Sequence, residues 1–183
     1  MSQPLKILNL CSGTGAWTRP YEEAGYEVIC VTLPQGDVRT YEPPEDVHGI
    51  VASPPCAEFS LAKGRAPRDF REGLETVDAC LRIIRTCQLR ETRLAFWCLE
   101  NPRGFLRQFL GKPALSCHYW WYGDCFDKPT DLWGYFEAPK RLYRDPPMLL
   151  QMITGWSNWN GKAGEGRAVT QPCFTRAFFE ANP

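Results

Sequence analysis

Lys6-Ile7-Leu8-Asn9-Leu10-Cys11-Ser12-Gly13-Thr14-Gly15 is the stretch that decides the fold. A short apolar run halting in a glycine turn reads as a buried strand that delivers the chain to a sheet edge. Residues 17–24 suit a helix, and after Gly25 the run Tyr26-Glu27-Val28-Ile29-Cys30-Val31 reads as a second buried strand. His48 to Ala52 gives a third, halted by Ser53-Pro54-Pro55, and Leu94 to Leu99 a fourth, closed by Glu100-Asn101-Pro102. Between them, from Arg71 to Arg93, Leu74, Val77, Leu81 and Ile84 recur every three or four residues, so one helical face is apolar. Strands that are apolar throughout, alternating with helices, imply an α/β fold with a doubly wound, mostly parallel sheet covered on both sides. In such a sheet, ligands sit at the carboxyl ends of the strands.

Downstream the chain is dense in aromatics: Tyr119, Trp120, Trp121 and Tyr122, then Trp133, Tyr135 and Phe136. A hairpin completing the sheet is expected here. The first four also offer base-stacking surfaces, although core filling is the better reading for alternating aromatics. Residues 137–167 lack periodicity and read as a long loop, and Gln171 to Ala181 as a closing helix. With 183 residues and no composition break, a single domain spanning 1–183 is expected.

Composition narrows the function classes. Hydrophobic residues make up 44% of the chain, which sets it apart from disordered sequences. No apolar run approaches a membrane span, and Met1 to Leu10 carries no leader pattern. Nine cysteines with no Cys-x-x-Cys pair, and only His48 and His118, argue against a disulfide framework and a metal centre, and for a reduced, cytoplasmic setting. Formal net charge is zero, so charge capture of nucleic acid must rest on local patches. Two exist: Lys63, Arg65, Arg68 and Arg71, and Lys140, Arg141 and Arg144. Either also reads as a solvated face.

Three strand ends carry candidate chemistry. The Ser12-Gly13-Thr14-Gly15 turn lets a ligand approach backbone closely, and Asp37, in the next turn, suits either a ligand contact or a turn cap. Ser53-Pro54-Pro55-Cys56 places a cysteine just after a proline-stiffened exit, with the fixed position and cleft access a nucleophile needs. A buried structural thiol is the competing reading. Glu100 would point into the same cleft, where a carboxyl withdrawn from water suits a group that holds or shares a proton. Asn101 alternatively caps a helix after Pro102.

Together, Asn9-Leu10-Cys11-Ser12-Gly13-Thr14-Gly15, Ser53-Pro54-Pro55-Cys56-Ala57-Glu58-Phe59-Ser60 and Glu100-Asn101-Pro102 resemble the ordered signature of DNA (cytosine-5)-methyltransferases. The resemblance covers about the first three-fifths of the chain, and Gly166 to Pro183 is similar to the family's closing segment beside the cofactor. It implies the Rossmann-like fold of class I S-adenosylmethionine-dependent methyltransferases. It also implies S-adenosylmethionine as cofactor, held by Cys11, Ser12, Gly13, Gly15, Asp37 and Pro54. Cys56 would add to carbon 6 of a flipped cytosine while Glu100 holds the ring nitrogen and amine. Ser53, Pro55 and Asn101 would line the substrate site, with DNA as partner.

The chain departs from that pattern in three places. Val31-Thr32-Leu33-Pro34 lacks the acid that would hold the cofactor's ribose at the second strand end. The family's Gln-x-Arg-x-Arg segment is absent after Tyr122-Gly123, leaving Lys128 as a substitute. Residues 137–167 are too few for a target-recognition domain, so specificity would come from short loops or a protein partner, as suits a compact phage-encoded member in a bacterial cytoplasm. Two rival functions remain: a pyrimidine-modifying enzyme acting on free nucleotide or single-stranded DNA, and a degenerate methyltransferase fold serving as a binding or activator module.

Overall fold

A computed structural model describes residues 3–11, 13–90, 94–148 and 170–183, and the backbone of 151–152. Strand β1 (Lys6–Leu10) lies between β2 (Glu27–Val31) and β3 (Val47–Ala52), and β3 pairs onward with β4 (Phe96–Pro102), all parallel. Antiparallel β7 (Thr130–Tyr135) then joins β4, and β5 (Leu115–Cys117) closes the far edge. The order is β2-β1-β3-β4-β7-β5, a Rossmann-like, mostly parallel α/β sheet. A separate pair joins β6 (Phe126–Asp127) to β8 (Gln151–Met152).

Both faces are covered, which is why the central strands are apolar without alternation. On one side Leu8, Leu10, Ile50, Ala52 and Leu99 pack against helix α2 (Phe70–Gln88) through Val77, Cys80, Ile83, Ile84 and Cys87. On the other, Ile7, Val51, Phe96 and Cys98 meet Trp17, Tyr21, Phe174 and Phe178. Tyr21 belongs to the short α1 (Arg19–Glu23), and the two phenylalanines to the closing helix, α4 (Pro172–Ala181). Asp124 caps α4 by accepting from the amides of Cys173 and Phe174, each at 3.0 Å. Burial pushes its carboxyl above the usual range, and those same bonds oppose the rise.

Four expectations change. Helix α2 stops at Gln88 rather than Arg93, because Arg90 turns away to donate to the carbonyls of Pro43 and Pro44. Strand β4 runs on to Pro102, because β7 supplies ladder partners where the sequence shows only a polar stop, pairing Glu100 with Leu132 and Asn101 with Asp131. Asn101 is therefore a strand residue, and the helix that follows, α3 (Arg107–Leu110), begins beyond it. Finally, Tyr119–Tyr122 forms a 3-10 turn rather than a strand, ended by Gly123 in the left-handed region. Three of its four aromatics, Tyr119, Trp120 and Tyr122, are buried, as core filling requires. Most of the expected long loop at 137–167 lies outside the described residues.

Candidate active site

The turn after β3 is held from several directions. Ser53 donates its amide to the Leu10 carbonyl at 2.9 Å, keeping β3 in step with β1 past its last ladder pair. Asn101 then reaches across from β4, its side-chain amide donating to the Pro54 carbonyl at 3.1 Å. Cys56 follows two residues later, half-buried, and its carbonyl accepts from the amides of Phe59 (3.0 Å) and Ser60 (2.8 Å). Pro54 is buried and Pro55 exposed.

Beyond Cys56 the segment is fastened by charge and by packing. Glu58 accepts from Lys63 at 2.5 Å and from the Asp69 amide at 2.6 Å, which holds its carboxyl below the usual range. Arg68 donates to the carbonyls of Glu58 (2.7 Å) and Ser60 (2.9 Å) and lies 4.6 Å over the Phe105 ring. Phe59 is fully buried between Phe70 and Phe109. Gly104 passes so close that a Cβ there would stand 2.2 Å from the Phe59 carbonyl oxygen. A side chain at the position of Cys56 is thus delivered by a turn with little freedom to relax.

Glu100 sits one residue past the last β3–β4 register pair, Ala52 with Leu99. It is 4% exposed, and its Oε1 lies 3.2 Å from Nζ of Lys128, itself 8% exposed. Two charges withdrawn from water in this way must compensate one another. The Lys128 ammonium also stands 5.7 Å from the centre of the Tyr119 ring. Burial first, and the charge of Glu100 second, push the nearby Cys117 thiol up to about 12. Glu100 Oε1, Asn101 Oδ1 and the Tyr119 hydroxyl are buried without a hydrogen-bond partner, although Oε1 keeps its ion pair. Unsatisfied polar atoms are scarce in native interiors, and Asn101 Oδ1, next to a Glu100 Oε1 held only by an ion pair, marks a strand end where a polar ligand or water is wanted.

The chain's own signals did not show what supports this edge. Asp131, fully buried opposite Asn101, is clamped by Arg107 at 2.5 Å and by Ser116 at 2.8 Å. Asp127, beside Lys128, pairs with His118 Nδ1 at 2.6 Å. These contacts join residues 9 to 24 positions apart in no recognisable motif, so only the folded chain reveals them.

At the end of β1, Cys11 adopts a left-handed φ of 58° and donates its amide to Val31 at 2.8 Å. Its sulfur lies 3.9 Å from that of Cys80; this contact and then burial hold the Cys80 thiol protonated. Gly13 and Gly15 have φ of 53° and 70°, and a Cβ on either would meet nothing within 4 Å. Open space over a tight turn leaves room for a ligand to approach the backbone closely. Ser12 lies outside the described residues. Asp37 is placed as a turn cap, accepting from the Arg39 amide at 3.0 Å, with its carboxylate also gripped by the Arg39 guanidinium at 2.7–3.0 Å. That hydrogen bonding lowers its pKa. A ligand hydroxyl there would share Asp37 with Arg39, and exposed Leu33 at the end of β2 offers no substitute.

Among the described residues there is no group of three His, Cys, Asp or Glu side chains that could hold a metal ion, and no helix long and apolar enough to cross a membrane.

Comparison with known proteins gives the class of chain this arrangement is similar to. No family model matches. Over 124 residues the chain is 28% identical to the type II methyltransferase M.NgoPII of Neisseria gonorrhoeae, covering 56% of this chain and 35% of that protein. It therefore spans about a third of the curated relative it matches. Among solved structures, the Entamoeba histolytica methyltransferase EhMeth superposes with a TM-score of 0.48 at 9% identity, covering 83% of this chain and 59% of that one.

Proposed function

We propose that this chain is an S-adenosylmethionine-dependent methyltransferase that modifies carbon 5 of cytosine in DNA, working in a cytoplasm. The observation that carries the reading is the Asn101–Pro54 hydrogen bond. It ties the turn bearing half-buried Cys56 to the strand bearing buried Glu100, whose charge Lys128 balances at 3.2 Å. A thiol and a proton-holding acid at neighbouring strand ends suit the two edges of one pyrimidine. The similarity to a type II methyltransferase supports the same class.

In this mechanism the target cytosine leaves its stack and enters the strand-end cleft, where Ser53, Pro55 and Asn101 border it. The Cys56 thiolate forms a bond to carbon 6, and negative charge develops across the ring. Glu100, paired with Lys128, accepts from the exocyclic amine and from the ring nitrogen once that nitrogen has taken a proton from water, which offsets the developing charge. Lys128 keeps the pair electrically balanced in place of an arginine. Cys11, Gly13, Gly15, Pro54 and Asp37 would hold S-adenosylmethionine, which would supply an electrophilic methyl group to carbon 5. With the methyl group bonded to carbon 5 and S-adenosylhomocysteine released, carbon 5 would lose its proton to water, and the electron pair left behind would break the Sγ–C6 bond and return the thiolate of Cys56.

Labelled S-adenosylmethionine offered with dCMP, single-stranded DNA and duplex DNA tests this directly. Transfer to DNA that disappears in Cys56→Ala is expected, whereas transfer to the mononucleotide alone would overturn the DNA assignment. One observation favours a second reading, a methyltransferase fold serving as a binding module: the Asp37 carboxylate is already held by Arg39. Failure to bind S-adenosylhomocysteine at millimolar concentration in calorimetry would favour that module.

A further inference from the structure

In the first of the two basic stretches Lys63 pairs with Glu58 and Arg68 donates to three carbonyls, which leaves Arg65 and Arg71 exposed with no aromatic ring held beside them among the described contacts. The second is arranged differently. The amides of Leu142 and Tyr143 both donate to the Trp121 carbonyl, at 2.9 and 3.0 Å, pinning the loop to the 3-10 turn. Arg141 lies with its guanidinium 4.2 Å from the centre of the Trp121 ring and 5.3 Å from that of Trp120. It is held there by bonds to the carbonyls of Tyr143 (2.7 Å) and Arg144 (2.5 Å). Lys140 and Arg144 are exposed on either side, and no ion pair among the described residues involves either. Tyr143 is 54% exposed, with its ring against Gly123.

We propose that Lys140, Arg141, Tyr143 and Arg144 form a landing platform for an unpaired stretch of DNA beside the target cytosine. The proposal rests on the reading above and deepens it by naming the substrate form. A molecule of zero net charge draws a polyanion only through such a local surface. Cations flanking a fixed aromatic match a strand whose phosphates and unstacked bases alternate. A duplex hides its base faces and gains nothing from Tyr143. The platform also shares a rigid element with the candidate site, because Tyr119, the first residue of the 3-10 turn that carries Trp121, lies under the Lys128 ammonium.

Fluorescence anisotropy of the full chain with a labelled 12-nucleotide single strand, titrated with salt, tests the platform. The double variant Lys140→Gln/Arg144→Gln should bind about tenfold more weakly and lose about 1–1.5 from the slope of log affinity against log salt. Tyr143→Ala should weaken the single strand fivefold or more while leaving duplex affinity unchanged. Because these side chains are exposed, thermal midpoints should stay at the wild-type value, which excludes unfolding as the cause. Binding by the variants within twofold of wild type, equal sensitivity of duplex and single strand to Tyr143→Ala, or equally tight binding of polyglutamate would overturn the proposal. Methyl transfer separates the two claims. Variants that transfer to DNA as wild type does at limiting substrate would sink the platform alone. A wild-type chain that binds the strand through these residues but methylates no nucleic acid would sink the reaction alone.

Discussion

Replacing Lys128 by Met tests whether Glu100 is held as a compensated charge. The two groups stand 3.2 Å apart, both buried. At an effective dielectric of about 20, opposite unit charges at that distance attract by roughly 5 kcal/mol, and desolvation of both groups offsets much of this. Removing only the cation leaves the carboxylate buried without compensation, which costs about 3–5 kcal/mol. Urea denaturation at neutral pH should therefore show Lys128→Met destabilised by about that amount, with an unchanged denaturant slope. Glu100→Gln alone should be comparably destabilised, since it strands the ammonium. The double variant carries no buried charge, and it should recover all but about 1–2 kcal/mol, giving a strongly non-additive cycle. Single losses below about 1 kcal/mol, or a double variant equal to the sum of the singles, would refute the compensated pair.

Other expectations follow from the packing around Cys56. Gly104→Ala should cost about 1–3 kcal/mol in the same assay, because the new Cβ meets the backbone oxygen of Phe59 rather than a movable side chain. Asp69→Ala should cost about 1 kcal/mol, since Asp69 caps α2 through the Glu72 amide at 3.0 Å. Glu58 has a carboxyl held low by Lys63 and the Asp69 amide, so its contribution is present above its unfolded value and is lost as pH falls through the lowered folded value. The stability difference between wild type and Glu58→Gln should accordingly shrink on acidification, and a difference that grows in acid would contradict that sign. In methyl-transfer assays Glu100→Gln should lower the turnover rate about 100- to 1000-fold, an effect to be read at saturating substrate.

The parts of the fold legible in the sequence were those governed by local physics. Ile7 to Leu10, Val28 to Val31 and Ile50 to Ala52 form parallel strands and read as apolar runs, interrupted in β1 by Asn9, whose side-chain amide donates to Thr18. Helix α2 announced itself by spacing, and α4 by a proline start and a dense apolar face. Where a distant partner decides the outcome, local reading failed. Glu100 and Asn101 looked like a strand's stop because β7, which continues their ladder, lies some thirty residues downstream. Tyr119 to Tyr122 looked like a strand because aromatics favour strands, yet Gly123 closes them into a turn. The site divides in the same way. Cys56 and Glu100 stand out as candidates because prolines mark strand exits. Lys128 stands out only as a substitute for a missing arginine, and nothing local marks Asp131, Arg107 or His118. The sequence leaves both roles of Asp37 open, and the folded turn shows its capping bond from the Arg39 amide.

Trapping with DNA that carries 5-fluorocytosine tests the central claim most directly, because fluorine at carbon 5 cannot leave as a proton does and the enzyme stays attached. With S-adenosylmethionine present, the wild-type chain should form a denaturation-resistant adduct whose attachment maps by peptide mass to Cys56. The adduct should vanish in Cys56→Ala and form more slowly in Glu100→Gln. An adduct that survives in Cys56→Ala, or that maps to exposed Cys125 or Cys173, would contradict the account.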